Sequence, residues 1–235
     1  MKPFRFQKFE IKQSREVFRV GTDGVLLGVL ASVLQSKNAL EVGVGTGLIS
    51  LMLAQRNSEL NIKGIDIDPK AAELAKENFE ASSFSSRLSV QQIDFKDLPV
   101  GKLYDSIVSN PPYFLPNDST KDKVARQTVN LSFPELIEGV RRHLSPHGIF
   151  SMILPIQFAS DFIEYAAQAD LYLVRRVAIQ GMLGGPIVRA VLEFKFEKQE
   201  VQNENLTVEE SPRVYSKEYL ELTKVFHLFN RDKNA

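Results

Sequence analysis

The chain has 235 residues, 43% of them hydrophobic, and its 29 basic side chains balance 29 acidic ones. This length and composition are typical of one globular domain with a full hydrophobic core. The sequence contains no cysteine, which excludes disulfides and thiolate metal sites. No apolar run reaches the ~18 residues that cross a membrane, and the N-terminal segment lacks the apolar core of a secretory signal. We therefore expect a cytoplasmic protein.

The predicted elements begin with a small strand pair in the first 20 residues and a helix over 22–34 that packs against the sheet. Short apolar runs then alternate with amphipathic segments, which predicts βαβ units and a mostly parallel sheet. Asp68 and Pro69 favour the start of a helix, because a carboxylate caps the first turn and proline fits the first helical position. The predicted strands are 39–44, 61–66, 88–93, 104–109 and 149–154, and the predicted helices are 48–56, 71–81, 133–144 and 158–169.

The pattern changes toward the C-terminus. Two extended runs, 171–180 and 187–198, are joined by the sequence GMLGGP, which predicts an antiparallel hairpin. Residues 216–226 indicate a short final helix. The polar stretch 116–130 has no clear period, and we interpret it as a loop.

Basic side chains are concentrated near the N-terminus. Residues 1–19 contain six basic and two acidic side chains, whereas residues 195–218 contain four basic and six acidic ones. A basic patch suits contact with RNA, but an ordinary solvated surface gives the same pattern. Aromatic and basic residues alternate within it, which suits either an RNA-contacting edge or the buried face of a strand. The alternating residues are Phe4, Arg5, Phe6, Lys8 and Phe9.

A glycine-rich loop, Glu41-Val-Gly43-Val-Gly45-Thr-Gly47, follows a predicted strand and opens a helix. Three glycines allow a sharp turn and let a ligand touch bare backbone. Asp66 ends the next strand, where a carboxylate can accept hydrogen bonds from ribose hydroxyls. Glu41 disfavours a pyrophosphate, because like charges ~4 Å apart repel by about 4 kcal/mol at intermediate dielectric. A cationic nucleoside without phosphate, such as S-adenosylmethionine, is therefore favoured over NAD or ATP.

Asp94 follows the third of these strands, 88–93. In that position its carboxylate can accept a hydrogen bond from the exocyclic amine of the cofactor. A turn aspartate would occupy the same position, so both interpretations stay open.

The tetrapeptide Asn110-Pro111-Pro112-Tyr113 ends strand 104–109, and ligands of open α/β sheets bind at such strand ends. The Asn110 amide oxygen and the Pro111 carbonyl can each accept one N–H of an exocyclic amine, which frees its lone pair for attack on a methyl group. The prolines remove N–H donors and stiffen the loop. Tyr113 offers a flat face for a planar base or amide. The tetrapeptide therefore predicts methylation of an amino nitrogen by positioning, without a strong base.

Together, these motifs resemble class I methyltransferases that carry the NPPY motif, over roughly residues 38–198. Members of that class modify adenine N6 in DNA or RNA, guanine N2 in ribosomal RNA, or glutamine N5 in release factors. A narrower resemblance spans nearly the whole chain, to the bacterial tRNA(Val) adenine-N6 methyltransferase family, which modifies the adenine at position 37. The segments that carry it are FRFQKFEIKQ (4–13), VGTDGVLLG (20–28), Phe114, Ala125-Arg126 and Tyr215–Tyr219.

The narrower resemblance implies that residues 21–24 lie near the methionine end of the cofactor, which places Thr22 and Asp23 close to it. The family often has aspartate where this chain has Glu41, and the longer acid should still serve the cofactor ammonium. Arg126 and Arg189 lie in or beside predicted loops at the ligand end of the sheet, where they are candidate phosphate contacts.

The sequence thus predicts an α/β class I methyltransferase fold: a doubly wound, mostly parallel seven-stranded sheet with an antiparallel C-terminal hairpin. We expect an N-terminal extension over 1–37 and the methyltransferase domain over 38–235. The predicted cofactor contacts are Thr22, Asp23, Glu41, Gly43, Gly45, Gly47, Asp66, Asp94 and Asn110. The predicted catalytic residues are Asn110, Pro111, Pro112 and Tyr113, and the candidate RNA contacts are Arg5, Lys8, Phe114, Arg126 and Arg189.

This prediction implies methylation of adenine N6 in tRNA with S-adenosylmethionine, which leaves S-adenosylhomocysteine, and with neither a metal nor an obligate protein partner. The scattered histidines lack metal-ligand spacing. A protein glutamine N5-methyltransferase is disfavoured because such enzymes usually carry a separate helical N-terminal domain. A DNA enzyme has little room here for a target-recognition domain, and a ribosomal RNA enzyme would share the chemistry. The remaining alternative is a non-catalytic RNA-binding protein that retains the fold.

Overall fold

The structure is a computed structural model that describes residues 1–17, 19–111 and 131–228. The strands are β1 (Phe4–Arg5), β2 (Glu10–Ile11), β3 (Asn38–Val42), β4 (Asn61–Asp66), β5 (Leu88–Gln92), β6 (Tyr104–Ser109), β7 (Leu144–Pro155), β8 (Tyr172–Met182), β9 (Ile187–Lys195), β10 (Gln202–Ser211) and β11 (Val214–Tyr215). The helices are α1 (Thr22–Leu30), α2 (Leu48–Arg56), α3 (Pro69–Glu80), α4 (Phe133–His143), α5 (Ala159–Gln168) and α6 (Lys217–Thr223).

Nine of the described strands form one sheet, in the order β11-β10-β8-β9-β7-β6-β3-β4-β5. The pairs between β7 and β5 are all parallel, whereas β9 runs antiparallel to both β7 and β8. From β3, the chain first adds β4 and β5 on one side and then β6 and β7 on the other. This reversal creates the switch point at which open α/β sheets bind ligands. The predicted doubly wound sheet with an antiparallel C-terminal hairpin is confirmed.

Two strands at one edge of the sheet, β10 and β11, lie outside the seven that the sequence predicts. β10 pairs in parallel with β8, and β11 pairs antiparallel with β10. Within β10 only Leu206 and Val208 are buried, and the other residues are polar or charged and at least partly exposed. The segment therefore lacks the apolar alternation that predicts a strand. Its pairing depends on the edge that β8 offers.

The predicted helix starts and strand ends are close to the observed ones. The Asp68 carboxylate caps α3 by accepting a hydrogen bond from the Lys70 backbone N–H at 2.9 Å, and Pro69 takes the first helical position. Helix α1 ends at Leu30, four residues before its predicted end. Beyond it, the backbone N–H and the hydroxyl of Ser32 both bind the carboxylate of Glu193, a long-range contact that a local pattern does not contain. The predicted loop over 116–130 falls outside the described residues.

Apolar side chains cover both faces of the sheet. Residues of α1, α2 and α3 pack on one face, and residues of α4 and α5 pack on the other. On the second face the rings of Phe150, Phe162 and Phe194 lie 5.5–6.2 Å apart. Helices on both faces of a mostly parallel sheet are the expected layer arrangement of a doubly wound fold. No helix in the described part of the chain is long and apolar enough to span a membrane.

Strands β1 and β2 form a separate hairpin that packs against the end of the chain. The backbone N–H of Gln7 donates to the Phe226 carbonyl at 2.8 Å, and its side-chain amide donates to the Lys224 and His227 carbonyls at 2.6 and 2.8 Å. Phe6 and Phe9 are buried and stack at 4.7 Å, so for them the core interpretation is correct. The division of the chain into an N-terminal extension over 1–37 and a methyltransferase domain over 38–235 stays a prediction.

A buried carboxylate joins several strands to the end of α1. Glu193 of β9 is 1% exposed, and its Oε1 accepts hydrogen bonds from the Ser32 N–H at 2.7 Å and the Ser151 hydroxyl at 2.8 Å. Its Oε2 accepts from the Ser32 hydroxyl at 2.8 Å and from Arg175 Nη1 at 3.3 Å. Arg175 also binds both carboxylate oxygens of Glu204 on β10, at 2.6 and 3.0 Å.

We expect Glu193→Ala to lower the free energy of unfolding by about 3–5 kcal/mol, as when one partner of a buried charge pair is removed. Glu204 binds the same arginine, but its side chain is 45% exposed. Glu204→Ala should therefore cost at most about 1 kcal/mol. Urea denaturation measures both losses, and equal losses would contradict the role given to the buried carboxylate.

Candidate active site

The two motifs predicted from the sequence meet at the switch point of the sheet. Strands β3 and β6 are parallel neighbours, and their last residues, Val42 and Ser109, are paired in register. The Ser109 hydroxyl donates a buried hydrogen bond of 2.9 Å to the Val42 carbonyl, which fixes this junction. Gly43 and Asn110 directly follow these two residues. The glycine-rich loop and the start of the tetrapeptide therefore lie side by side at the carboxyl edge of the sheet.

The three glycines of the loop have left-handed backbone conformations, with φ of +76° at Gly43, +54° at Gly45 and +79° at Gly47. A Cβ atom built on Gly43 or Gly45 would meet no described atom within 4 Å. A Cβ atom on Gly47 would lie 2.5 Å from the ring of Phe79. The first two glycines thus present bare backbone to open space, which fits a ligand cradle, whereas the third lets α2 and α3 pack closely.

Asp66 ties the loop to the end of β4. Its Oδ2 accepts a hydrogen bond from the Gly45 N–H at 2.9 Å, and its Oδ1 accepts one from the Asp68 N–H at 3.0 Å. Burial raises the pKa of Asp66, and the two N–H donors act in the opposite direction. A carboxylate can accept about four hydrogen bonds in all, so these contacts leave capacity for the predicted ribose hydroxyls. That contact stays a prediction.

Glu41, at the end of β3, is buried and turned toward helix α2. Its Oε2 accepts hydrogen bonds from the backbone N–H of Ser50, at 2.9 Å, and from the Ser50 hydroxyl. Burial raises the pKa of Glu41 to about 8, and the Ser50 hydrogen bonds lower it in part. Glu41 thus anchors the first turns of α2, a role that the sequence does not indicate. Its contact with the cofactor ammonium stays a prediction.

Asp94 has the turn role that the sequence left open. Its Oδ1 accepts a hydrogen bond from the Lys96 N–H at 2.9 Å and caps a short helical turn over Phe95–Asp97. Its Oδ2 lies 3.6 Å from Lys96 Nζ. A contact between Asp94 and the amine of the cofactor is a prediction that these hydrogen bonds do not test.

The described part of the tetrapeptide is partly enclosed by the protein. Asn110 is half-buried and Pro111 is buried. The other predicted residues of this region, Pro112, Tyr113, Phe114 and Arg126, lie outside the described residues. Their catalytic and RNA-binding roles stay predictions. Among the residues that are described, no three His, Asp or Glu side chains are grouped so as to hold a metal ion.

The start of α1 lies at the same edge of the sheet. Arg189 of β9 is paired in register with Pro155, the last residue of β7. Its guanidinium Nε donates to Asp23 Oδ2 at 3.0 Å, and both side chains are 36% exposed. Asp23 and the neighbouring Thr22 open α1 after Gly21. A phosphate contact by Arg189, still a prediction, would compete with this carboxylate.

Of the other two candidate RNA contacts in the described part of the chain, Arg5 lies in an ion pair. Its guanidinium Nε is 2.9 Å from Glu10 Oε1, across the hairpin of β1 and β2. Lys8, in the turn of that hairpin, is exposed.

Sequence reasoning missed two residues that support the loop, Ser50 and Asn78. Asn78 of α3 is 1% exposed, and its amide Nδ2 donates to the Thr46 carbonyl at 2.9 Å. The sequence contains one signal that could have identified Asn78: it lies on the apolar face of α3, alongside Ala71, Ala75 and Phe79. Asparagine is a poor helix former and is mostly exposed in proteins, so a buried asparagine in a helix indicates a specific partner.

Replacing Glu41 with glutamine tests whether the carboxyl is neutral in the folded protein. Glutamine keeps an acceptor for Ser50 but does not ionise. The pKa in the fold, about 8, exceeds the ordinary value of 4.5, so stability contributed by the neutral form is fully present below pH 4.5 and is lost as pH rises through 8. The unfolding free energy of wild type relative to Glu41→Gln should therefore fall between about pH 5 and 8. A difference in urea denaturation that stays constant over this range would contradict a neutral Glu41.

Comparison with known proteins places these features in a family. Residues 13–162 match the model of the methyltransferase small domain. A tRNA1(Val) (adenine(37)-N6)-methyltransferase from Flavobacteriaceae bacterium (strain 3519-10) is 47% identical over 97% of this chain and 100% of its own length. A protein of the same name from Phocaeicola vulgatus is 41% identical over 96% of this chain and 97% of its own length.

Solved structures share the fold at low sequence identity. A predicted O-methyltransferase from Agrobacterium tumefaciens matches with a TM-score of 0.69 and 18% identity, over 87% of this chain and 96% of its own. TYW2 from P. horikoshii, solved in complex with MeSAdo, matches with a TM-score of 0.59 and 15% identity, over 82% of this chain and 69% of its own. The predicted class I methyltransferase fold is confirmed. Together with the near-full-length relatives, this shows that the chain belongs to the tRNA1(Val) (adenine(37)-N6)-methyltransferase family.

Proposed function

We propose that this chain transfers the methyl group of S-adenosylmethionine to N6 of an adenine in tRNA, at position 37 of tRNA1(Val). The observation that carries this proposal is the junction of β3 and β6, which sets Gly43 beside Asn110. A cofactor cradle and a pair of acceptors for an amine are the two parts that this reaction requires. The names of the near-full-length relatives support the choice of base, position and RNA.

The residues at the cradle fit a cationic nucleoside. Gly43 and Gly45 present open backbone, and the acidic side chains of Glu41 and Asp66 flank them. The Asp66 carboxylate disfavours a phosphate and favours a sulfonium or an ammonium, because unlike charges attract at short range. A bound cation would also favour the ionised form of the buried Glu41. Asp66 would hold the ribose hydroxyls, and Asp23 at the start of α1 would face the methionine end. When bound, S-adenosylmethionine supplies a methyl group that is activated for attack by a nucleophile.

Asn110 and Pro111 would prepare the amine. The Asn110 amide oxygen and the Pro111 carbonyl each accept one N–H of the adenine amine, so the nitrogen lone pair is less delocalised into the ring. Transfer would join this nitrogen to the methyl carbon and break the bond from that carbon to sulfur, and one N–H proton would leave to water. Because Pro111 is buried and proline restricts the backbone, the acceptors are held in place before the reaction.

The RNA would approach the carboxyl edge of the sheet. An adenine must leave its stack to reach Asn110, which costs a few kcal/mol and less in a single-stranded loop. The excess of basic side chains in residues 1–19 supports contact with a polyanion near this edge. The RNA contacts that we propose rest on the sequence predictions alone; they are Arg5, Lys8, Phe114, Arg126 and Arg189. We place the reaction in the cytoplasm on the same basis.

Methyl transfer from labelled S-adenosylmethionine to total tRNA tests the proposal directly. The tRNA comes from a strain that lacks the gene, and its nucleosides are analysed after digestion. Label should appear as N6-methyladenosine and should map to one adenine of tRNA1(Val). Label in ribosomal RNA, DNA or a release factor, but not in tRNA, would overturn the proposed substrate and keep the cofactor chemistry.

Asn110→Ala should reduce turnover about 100-fold or more, the usual effect of removing one preorganised hydrogen-bonding group from an active site. The other predicted cofactor contacts do not involve this side chain, so the dissociation constant for S-adenosylmethionine should stay within about twofold of wild type, well under 1 kcal/mol. Single-turnover kinetics and calorimetry measure the two quantities. Unchanged turnover would refute the role of Asn110 in holding the amine.

A further inference from the structure

Asn78 of α3 joins the cofactor loop to the N-terminal segment through its side-chain amide. Its Nδ2 donates to the Thr46 carbonyl at 2.9 Å and to the Lys12 carbonyl at 3.1 Å. Its Oδ1 accepts a hydrogen bond from the Lys12 N–H at 2.8 Å. Both amide N–H groups and the amide oxygen therefore have partners, and the side chain is 1% exposed.

The Thr46 carbonyl belongs to a peptide that needs external support. Its plane is set by ψ of Thr46 and φ of Gly47, and Gly47 has φ of +79°. Because glycine populates both signs of φ at little cost, Gly47 does little to restrict rotation of this peptide. In the structure its carbonyl is held by Asn78 and its N–H, from Gly47, donates to the Val44 carbonyl at 2.8 Å. The two hydrogen bonds fix the plane of this peptide from both sides.

On its other side, Asn78 holds the segment that follows β2. The Lys12 backbone binds the amide through its N–H and its carbonyl, in the way that a neighbouring strand would. Two surface ion pairs join the same segment to α3: Lys12 Nζ lies 3.0 Å from Glu77 Oε2, and Lys70 Nζ lies 2.6 Å from Glu16 Oε1. These exposed pairs are weak, so the buried amide is the main polar link between the segment and the loop.

We propose that Asn78 is a positioning residue that fixes the Thr46–Gly47 peptide for binding of S-adenosylmethionine and couples the basic N-terminal segment to the cofactor loop. The inference rests on the proposed function in one respect, that S-adenosylmethionine is the ligand of this loop. With Asn78 in place, the loop is arranged before the cofactor arrives, so binding does not have to order it. Without the amide, the cofactor must select one of several loop conformations.

Asn57 offers a matched control at the end of α2. Its side-chain amide also links backbone groups of separate segments, since Nδ2 donates to the Val33 and Ser36 carbonyls at 2.8 Å each and Oδ1 accepts from the Glu59 N–H at 2.9 Å. None of these partners belongs to the cofactor loop. Asn57→Ala and Asn78→Ala should therefore both lower the melting temperature, while only the second should weaken cofactor binding.

Calorimetry with S-adenosylmethionine and steady-state kinetics on tRNA test the proposal. For Asn78→Ala we expect the dissociation constant and the KM for S-adenosylmethionine to rise about tenfold, in line with the loss of the buried hydrogen bond to the Thr46 carbonyl. The kcat at saturating cofactor should stay within about threefold of wild type. Asn57→Ala should change neither constant by more than about twofold. An unchanged dissociation constant in folded Asn78→Ala, or an equal rise in Asn57→Ala, would overturn the proposal.

Hydrogen exchange of the wild-type protein gives a second test that needs no variant. Addition of S-adenosylmethionine should slow exchange of the Lys12 amide, because the bound cofactor holds the loop and, through Asn78, this N–H. Exchange of Lys12 that is the same with and without bound cofactor would refute the coupling. Failure of wild type to bind S-adenosylmethionine would overturn the proposed function and the inference together. If wild type binds the cofactor but either experiment gives its contradicting outcome, only the inference is overturned.

Discussion

The parallel pairing of β3 with β6 is the constraint on which the site depends. These strands are far apart in sequence, and the order of the sheet places them side by side where its direction of growth reverses. Their last residues are paired in register and joined by the hydrogen bond from Ser109 to the Val42 carbonyl. A slip of one residue would turn every side chain of β6 to the other face. The position of Asn110 relative to the glycine-rich loop thus follows from backbone register.

The loop itself has little rigidity, and the surrounding elements supply it. Its glycines permit the left-handed turns that the chain requires, and the same freedom would let the loop adopt other conformations. Three hydrogen-bonding partners on two elements restrict it: Asp66 and the Ile65 carbonyl from β4, and Asn78 from α3. Glu41 fixes the helix that the loop opens by binding Ser50. A flexible sequence therefore becomes a defined cradle through partners on separate elements.

The sequence predicts those features that have local causes. The caps, the strand ends and the two motifs were predictable because a few neighbouring residues determine them, as Asp68 and Pro69 do for α3. The features that it missed depend on partners distant in sequence. Strand β10 forms because β8 offers an edge, and α1 ends early near Glu193. The pairing of Arg189 with Asp23 and the contacts of Asn78 likewise join residues that only the complete fold brings together.

The contact between the two ends of the chain constrains the order in which the protein can fold. Gln7 binds the carbonyl of Lys224, which lies 217 positions later in the sequence. During translation the hairpin of β1 and β2 leaves the ribosome long before its partner beside α6 is made. Contacts of such long sequence separation form late, because closing a long loop costs entropy before any contact is gained. The hairpin would therefore dock on the segment after α6 only once the elements that carry the cofactor loop and Asn110, which lie between the two in the sequence, have been made.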